Sequence, residues 1–340
     1  MKNMDRSYKE ESREGPIFIL GVMQRSGTNF INNLLLAHPD CGYPGIVWED
    51  FFLAHADLLK QYSERVKRHW KVEWCEKVNE NFGSTSPLNF IGWGLVEFMR
   101  AQQGATSAHS EKQSSNLNAQ KKFLVTATPS VDNLELFFDM FEDSRLLIII
   151  RDGRAVVESG MRSFDWDYEG ATRRWEKSAR RIMQMDKNNG VKDRCIIVRY
   201  EDLFVETEKT LTHVFKFLGL DPEKYNYSSA QNIGVMGSSE LRQKGDAMHW
   251  KSVDKPKEFN PLSRADNWNK RMHERFAWIV GDSMEYFGYK RSQNASNSFY
   301  WRLWNRVMDI IYSIEIKFKD RVNSAARIIR WLRLRMIGLS

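Results

Sequence analysis

Two groups of residues in this sequence have the types and the spacing to bind anions. The run Arg25-Ser-Gly-Thr28 follows a short apolar segment, and Arg151 follows a second one, with Ser159 eight residues further along. Arginine presents a planar fork of N–H donors that fits phosphate or sulfonate oxygens, and a serine hydroxyl adds another donor. Glycine lets the backbone come close to a ligand. Such residues favour the binding of an anionic group such as a phosphate or a sulfonate.

Both groups lie where a predicted strand meets a predicted helix. The segments 17–21 and 145–150 are apolar runs, as expected for strands covered on both faces. Helical spacing resumes after each loop, and a helix N-terminus directs unpaired N–H groups and the positive end of its dipole at the preceding loop. Ser159 falls almost two turns into the second helix, so it can face the same ligand as Arg151. We therefore expect anionic groups at these strand ends.

The rest of the sequence supplies elements to position these loops. Alternating strands and helices predict an α/β fold, with a central parallel sheet flanked by helices and ligands at the carboxyl ends of its strands. The chain of 340 residues, 42% of them hydrophobic, is sufficient for one large domain. Strands are predicted near 17–21, 122–126, 145–150 and 194–199, and helices near 29–37, 131–141, 153–162, 170–186 and 206–218.

The first loop differs from a Walker-type nucleotide loop. That loop has Gly, four residues and then Gly-Lys-Ser/Thr, with the lysine on the outer phosphates. Here five residues separate Gly21 from Gly27, and the only cation is Arg25, which precedes Ser26. An ATP-dependent phosphotransferase is an alternative function, but the lysine that such an enzyme should carry is absent from this loop.

Together the two motifs resemble those of sulfotransferases that use 3'-phosphoadenosine 5'-phosphosulfate (PAPS), over about residues 16–290. The family loop for the 5'-phosphosulfate has the form Pro-Lys/Arg-Ser-Gly-Thr-Thr, and Gln24-Arg-Ser-Gly-Thr-Asn29 resembles its arginine version. In the family's 3'-phosphate site an arginine ends a strand and a serine follows eight positions later, as Arg151 and Ser159 do. The resemblance implies a P-loop-like sulfotransferase fold and PAPS as cosubstrate. It places these residues on the donor: Arg25, Ser26, Gly27, Thr28, Asn29, Arg151 and Ser159.

Two further segments resemble family segments near the nucleotide. The run 198–203 resembles one that closes another strand, and it implies a contact between Tyr200 and the adenosine. The run 237–245 resembles a late loop over the 3'-phosphate, with Arg242 and Lys244 as its contacts. A solvated basic loop is the alternative for those last two residues.

The resemblance implies an in-line transfer of the sulfuryl group to a hydroxyl acceptor, leaving adenosine 3',5'-bisphosphate. Charge grows on the bridging oxygen of the leaving phosphate, so a fixed cation there favours transfer. Arg25 is expected to serve as this catalytic cation. It acts by electrostatics, because a guanidinium does not give up its proton.

The general base cannot come from the place used by cytosolic sulfotransferases. Those enzymes carry Lys-Thr-His, where this chain reads Ala127-Thr-Pro129. Tyrosylprotein and many carbohydrate sulfotransferases use a glutamate soon after the first helix, which implies Glu49 as the base, with Asp50 in reserve. The alternative is that the two acids cap a helix that begins near Phe51.

The predicted acceptor is a carbohydrate or glycoconjugate, with a protein tyrosine or a small-molecule hydroxyl as the alternative. The pattern of Cys and His residues includes no zinc-like spacing, so no metal is expected. The polar N-terminal residues 1–15 contain neither a signal peptide nor an apolar anchor, which predicts a cytoplasmic enzyme.

The last 43 residues differ from the rest. Residues 298–340 carry nine basic and three acidic residues, a net +6 of the chain's +7, and apolar residues recur there at helical spacing. The sequence thus predicts a sulfotransferase domain at 16–290, with a mobile insertion at 101–120, and a basic amphipathic extension at 298–340. The extension favours an anionic membrane surface, with docking on the protein's own core as the alternative. A membrane-binding or nucleic-acid-binding module would explain this tail but not the Arg25 and Arg151 motifs, so no nucleic-acid partner is expected.

Overall fold

A computed structural model gives the fold, and it describes most of the chain. The described ranges are 15–45, 47, 49–84, 87–102, 121–230, 232–236, 252–253, 263–290 and 298–336. The chain forms two compact units. The first comprises Met1–Asn267 with Asp282–Tyr289, and the second comprises Trp268–Gly281 with Lys290–Ser340.

The first unit is built on a five-stranded sheet in the order β2-β3-β1-β4-β5, and all its strand pairs are parallel. The chain builds β2 and β3 on one side of β1 and then β4 and β5 on the other. Ligands of open α/β sheets bind where the strand order reverses in this way. The strands are β1 (Ile17–Gly21), β2 (Cys41–Gly42), β3 (Phe123–Thr128), β4 (Arg145–Ile150) and β5 (Cys195–Arg199), and a separate antiparallel pair joins β6 (Val235–Met236) to β7 (Ser252–Val253).

Helices occur in both units. The first group consists of α1 (Thr28–Leu36), α2 (Ala56–Lys67), α3 (Val72–Phe82), α4 (Leu88–Ala101), α5 (Phe137–Met140) and α6 (Gly153–Phe164). The second consists of α7 (Tyr168–Asp186), α8 (Asp202–Val205), α9 (Thr207–Leu218), α10 (Tyr227–Ala230), α11 (Lys270–Tyr286) and α12 (Phe299–Met336). None of the helices in the described ranges is both long enough and apolar enough to cross a membrane.

Continuous apolar runs make the central strands, because both faces of the sheet are buried. Every residue of β1 is buried, and so are the last five of β4. One cluster of buried side chains joins β1, β3, β4 and β5 to α1 and α9. Parallel pairing aligns Leu20 with Thr128 and Ile150 with Arg199, so four strands end at one edge. The predicted α/β fold with a central parallel sheet is confirmed.

The predicted helix at 131–141 is wrong in detail. The segment forms a 3-10 turn at Leu134–Leu136 followed by the short helix α5. Asn133 precedes that turn with a φ of 59°. Its amide donates to the carbonyl groups of Leu53 and Ala54. These tertiary hydrogen bonds hold a left-handed residue where helical spacing alone predicts a helix.

Two glycines of α4 provide a test of its packing. A Cβ on Gly92 would lie 2.0 Å from the carbonyl oxygen of Met140, whereas a Cβ on Gly94 would meet no heavy atom within 4 Å in the described part of the chain. We expect Gly92→Ala to destabilise the fold by about 1–3 kcal/mol, because the backbone must move. We expect Gly94→Ala to stabilise it by about 0.5–1 kcal/mol through its higher helix propensity. Thermal unfolding of both variants measures this difference, and shifts of the same sign would show that α4 does not pack here.

Candidate functional site

The loop between β1 and α1 folds tightly at the carboxyl edge of the sheet. Gly27 precedes α1 with a φ of 98°, which favours glycine. A Cβ on Gly21 would lie 2.4 Å from the Ser26 hydroxyl oxygen, so the loop closes on the strand end. Ser26 is fully buried, and its hydroxyl has no hydrogen-bond partner within the described residues. A buried donor beside a helix N-terminus suits an anionic oxygen.

Arg25 connects this loop to α6. It adopts a positive φ of 73°, which is uncommon outside glycine. Its Nε donates to the Ser159 hydroxyl oxygen over 3.0 Å, and its guanidinium carbon lies 5.7 Å from the centre of the Phe164 ring. Burial, and after it the positive charges of Arg151 and Arg264, lower the pKa of Arg25 to about 10. Arg25 thus stays charged at neutral pH within a positive environment.

Arg151 follows β4 and is buried beside Arg25. Its Nη1 donates to the Arg25 carbonyl oxygen over 3.1 Å. Its Nε and Nη2 have no hydrogen-bond partner among the described residues, although the side chain is only 5% exposed. Leaving two donors of a buried cation unpaired is costly, and an anionic ligand would satisfy both.

Tyr200 follows β5 and contacts both arginine-bearing loops. The Arg151 guanidinium carbon lies 4.3 Å from the centre of its ring. A Cβ on Gly27 would lie 2.2 Å from the same ring, so only glycine fits there. Tyr200 therefore fixes the distance between the first loop and the end of β4.

The sequence analysis missed a network that holds these strand ends. The Asp152 side chain caps α6 by accepting from the Arg154 amide and also binds the Arg154 guanidinium through both oxygens. The Asp152 amide donates to the Glu201 carboxylate over 3.0 Å, and the Tyr289 hydroxyl donates to its second oxygen over 2.7 Å. Burial raises the pKa of Glu201, while the hydrogen bonds from Tyr289 and Asp152 lower it. Asp152 directly before a predicted helix is a local signal for an N-cap. No local signal in the sequence indicates that the distant Tyr289 binds Glu201.

A third cation was also missed. Burial and the charge of Arg151 lower the pKa of Arg25 most, and the charge of Arg264 lowers it further. Arg264 lies in a 3-10 turn at Ser263–Ala265. The resemblance directed attention to Arg242 and Lys244 as late cations, and both lie outside the described residues. Their proposed role stays a prediction.

The two candidate bases differ in their hydrogen bonds. The Asp50 carboxylate accepts from the Thr126 hydroxyl over 2.6 Å and from the Phe52 amide over 2.9 Å. Burial raises the pKa of Asp50 in spite of these bonds. Burial, and then the charge of Asp50, also raise the pKa of Glu49. Asp50 is therefore attached to the end of β3 by these hydrogen bonds, and the role of either acid as the base stays a prediction.

Three of the residues that the sequence analysis assigned to the donor, Arg25, Arg151 and Ser159, lie close together in the structure. Arg25 contacts Ser159, and Arg151 contacts both the Arg25 backbone and the Tyr200 ring. Asn29 lies in the first turn of α1, and its buried Oδ1 has no partner among the described residues. No group of three His, Cys, Asp or Glu residues in the described ranges could hold a metal, and the expected absence of a metal stays a prediction. The arrangement can bind two neighbouring anionic groups.

Comparison with known proteins identifies the family of this arrangement. Residues 16–224, which are more than half of the chain, match the model of the sulfotransferase family. The match includes both arginine motifs, the Glu49-Asp50 pair and Tyr200.

Two relatives are protein-tyrosine sulfotransferases. The one from Drosophila melanogaster is 24% identical over 216 residues, covering 61% of this chain and 38% of the relative. Protein-tyrosine sulfotransferase 2 of Gallus gallus is 24% identical over 241 residues, covering 68% of this chain and 58% of the relative. The chain thus spans less than two thirds of the length of these relatives.

Solved structures of low similarity were also found. The sulfotransferase domain of the Synechococcus PCC 7002 olefin synthase has a TM-score of 0.45 and 21% identity, covering 82% of this chain and 96% of that domain. The sulfotransferase domain from the curacin biosynthetic pathway has a TM-score of 0.45 and 18% identity, covering 82% of this chain and 98% of that domain.

Replacing the Tyr289 hydroxyl tests the network behind the site. Tyr289→Phe leaves the buried Glu201 carboxylate short of a donor, so we expect a loss of about 1–3 kcal/mol in unfolding free energy. Without that donor the folded-state pKa of Glu201 rises further above its unfolded value. A carboxyl group whose pKa is raised by folding lowers stability as pH rises from its unfolded to its folded-state pKa. The loss of unfolding free energy in Tyr289→Phe should therefore be larger at about pH 8 than at about pH 5.

Tyr286→Phe is the matched control. Its hydroxyl donates to Asp186, and its side chain is exposed, so we expect a change below about 0.5 kcal/mol. Denaturant titrations at both pH values compare the two variants. A Tyr289→Phe loss that is equal at both pH values would contradict the role assigned to Glu201.

Proposed function

The chain belongs to the sulfotransferase family, and we propose that it transfers a sulfuryl group from PAPS to a tyrosine hydroxyl of a protein or peptide. The observation that carries the proposal is the pair formed by Arg25 and Arg151. Each follows a different strand, and the Arg151 guanidinium donates to the Arg25 carbonyl. Two adjacent cation centres fit a donor with two separate anionic groups.

The residues present fit PAPS as the donor. When bound, PAPS supplies the reactive sulfuryl group, attached through the bridging oxygen to the 5'-phosphate. Ser26, the first turn of α1 and Arg25 would hold the 5'-phosphosulfate, and Arg151 and Ser159 would hold the 3'-phosphate. The unpaired Nε and Nη2 of Arg151 and the unpaired Ser26 hydroxyl, each judged among the described residues, support this assignment.

Arg25 is the catalytic cation in this proposal. Its guanidinium would stabilise negative charge on the bridging oxygen as the S–O bond to the leaving phosphate breaks. The hydrogen bond to Ser159 and the Phe164 ring orient its side chain before any ligand arrives. A group fixed in advance needs little rearrangement in the transition state.

Glu49 is the general base. It would accept the phenolic proton while the tyrosine oxygen forms its bond to sulfur, so that the products are a tyrosine sulfate ester and adenosine 3',5'-bisphosphate. Burial and the charge of Asp50 raise the pKa of Glu49. A general base works best when its pKa is near the operating pH, so this shift favours Glu49 as a base at neutral pH. Asp50, bound to Thr126, holds the loop that carries Glu49.

The relatives favour tyrosine over the carbohydrate acceptor that the sequence analysis preferred. Both described relatives are protein-tyrosine sulfotransferases. A phenol, with a pKa of about 10, also gives up its proton more readily than a sugar hydroxyl does. We therefore propose a protein tyrosine as the acceptor, which the sequence analysis gave as the alternative to a carbohydrate.

Ligand-induced stabilisation tests the donor site. Adenosine 3',5'-bisphosphate at 100 times its dissociation constant should stabilise the fold by about 2.7 kcal/mol, which raises the thermal midpoint measurably. We expect Arg151→Ala to abolish most of this response, because the buried donors for the 3'-phosphate are lost. The measurement is the thermal midpoint with and without the ligand.

Arg145→Ala is the control, because Arg145 begins the strand that Arg151 follows. Arg145 donates to the Phe217 carbonyl at the opposite edge of the sheet, so its loss should lower the midpoint but keep the ligand response. A response to ATP with magnesium, and none to the bisphosphate, would refute the donor assignment in favour of a phosphotransferase.

Glu49→Gln tests the base in a transfer assay with PAPS and a tyrosine-containing peptide. We expect kcat to fall by about 10²–10⁴-fold, with the bisphosphate response unchanged. The wild-type fold loses stability as pH rises from the unfolded to the raised folded-state pKa of Glu49, and the variant does not. The thermal midpoint of Glu49→Gln should therefore gain on the wild type between about pH 4 and about pH 8.

Asp50→Asn separates the two acids. We expect this variant to lose stability, since the hydrogen bond with Thr126 weakens, with kcat less affected than in Glu49→Gln. If Asp50→Asn abolishes turnover and Glu49→Gln does not, Asp50 is the base. Transfer to a saccharide but not to the peptide would overturn the tyrosine acceptor.

A further inference from the structure

The helix α12 has two different faces within the second unit. Asn305 is buried, and its carbonyl and side-chain oxygens both accept from the Arg275 Nη1 of α11. The Asp309 carboxylate, one turn later, accepts from Arg275 over 2.7 Å and from the Trp278 indole over 2.9 Å. One face of α12 is thus fixed to α11 by polar contacts, and the Asp309 charge is neutralised there.

The opposite face of α12 is apolar and exposed. At 100° per residue its large side chains fall within an arc of about 100° that lies away from Asn305 and Asp309. We call this face the apolar stripe, and its members are between 46% and 67% exposed: Leu303, Val307, Ile310, Ile311, Ile314 and Phe318. Exposed apolar surface of this extent marks an interaction site.

Aromatic and basic residues accompany the stripe. Phe299 and Tyr300 begin the helix and are exposed. Arg306 and Lys317 lie beside the stripe at 100° per residue, and residues 298–340 carry nine basic against three acidic residues. An apolar face with cations at its edge and aromatic rings nearby is typical of a helix at a membrane interface, where acyl tails lie next to the anionic phosphates of the headgroups.

We propose that the apolar stripe of α12 docks on a bilayer surface that contains anionic lipids. The stripe enters the boundary between headgroups and acyl chains, and the basic residues neutralise lipid phosphates. Charge complementarity selects this occupant, because the tail carries a net +6. The enzyme is thereby held at a membrane surface, and this conclusion does not depend on the proposed acceptor.

Two other occupants fit less well. A second copy of the chain would bring two tails of the same positive charge together, which opposes association at physiological salt. A nucleic acid would neutralise the cations but leave the six apolar side chains of the stripe in water. Of these three occupants, the anionic bilayer is the one that satisfies both the charge and the apolar surface.

Vesicle cosedimentation of the full chain tests the proposal. We expect binding to vesicles of phosphatidylcholine mixed with phosphatidylserine, weak binding to phosphatidylcholine alone, and loss of binding as salt screens the charges. Ile314→Gln removes an apolar group from the stripe, so binding should weaken by about tenfold.

Ile316→Gln is the matched control. Ile316 lies two residues away on the same helix, exposed but outside the stripe, so its replacement should leave lipid binding within about twofold of the wild type. Circular dichroism and the response to adenosine 3',5'-bisphosphate show whether each variant keeps its fold.

Three results would overturn the proposal. The first is equal sedimentation with neutral and anionic vesicles, and the second is equal loss of binding in both isoleucine variants. The third is a lipid-free dimer in sedimentation equilibrium that Ile314→Gln dissociates, because the stripe would then be an interface between copies of this chain.

Discussion

The positive charge of two neighbouring arginines at the carboxyl edge of the sheet constrains the rest of the structure. Arg151 is buried, and the one hydrogen bond that its guanidinium makes within the described residues is to the neutral Arg25 carbonyl. Glu201 interacts with its charge, but both Glu201 oxygens already accept from Asp152 and Tyr289. The cation is thus left partly uncompensated, at a cost to stability that a bound dianion would offset.

The surrounding packing keeps these cations in place in spite of their repulsion. The Trp175 indole donates to the Arg151 carbonyl, and the Tyr200 ring contacts the Arg151 guanidinium and leaves room only for glycine at position 27. Arg25 itself has a left-handed backbone, a strained conformation that costs about 1–3 kcal/mol. The strained backbone of Arg25 and the unpaired donors of Arg151 lie together at this edge, as expected for a site that binds an anion.

The sequence predicted those parts of the structure that have a local signal. The strands β1 and β4 are apolar runs, and an arginine after each run is visible without any tertiary information. The helical period also placed Ser159 on the side of Arg151. The contact of Ser159 with Arg25 left no such signal, because it joins residues 134 positions apart. The Glu201–Tyr289 bond and the break at Asn133 were missed for the same reason, since distant partners determine them.

The end of β3 holds the loop that carries the two candidate bases. Here Thr126 binds the Asp50 carboxylate and Thr128 accepts from the Phe51 amide, at the strand end that reads Ala127-Thr-Pro129 and not Lys-Thr-His. Phe51 has a φ of 52°, which a bulky residue adopts only when its surroundings impose it. The two threonines therefore hold a strained loop against the sheet. Asp50 is thereby attached to the sheet through Thr126, whereas Glu49, its neighbour on the same loop, is the proposed base.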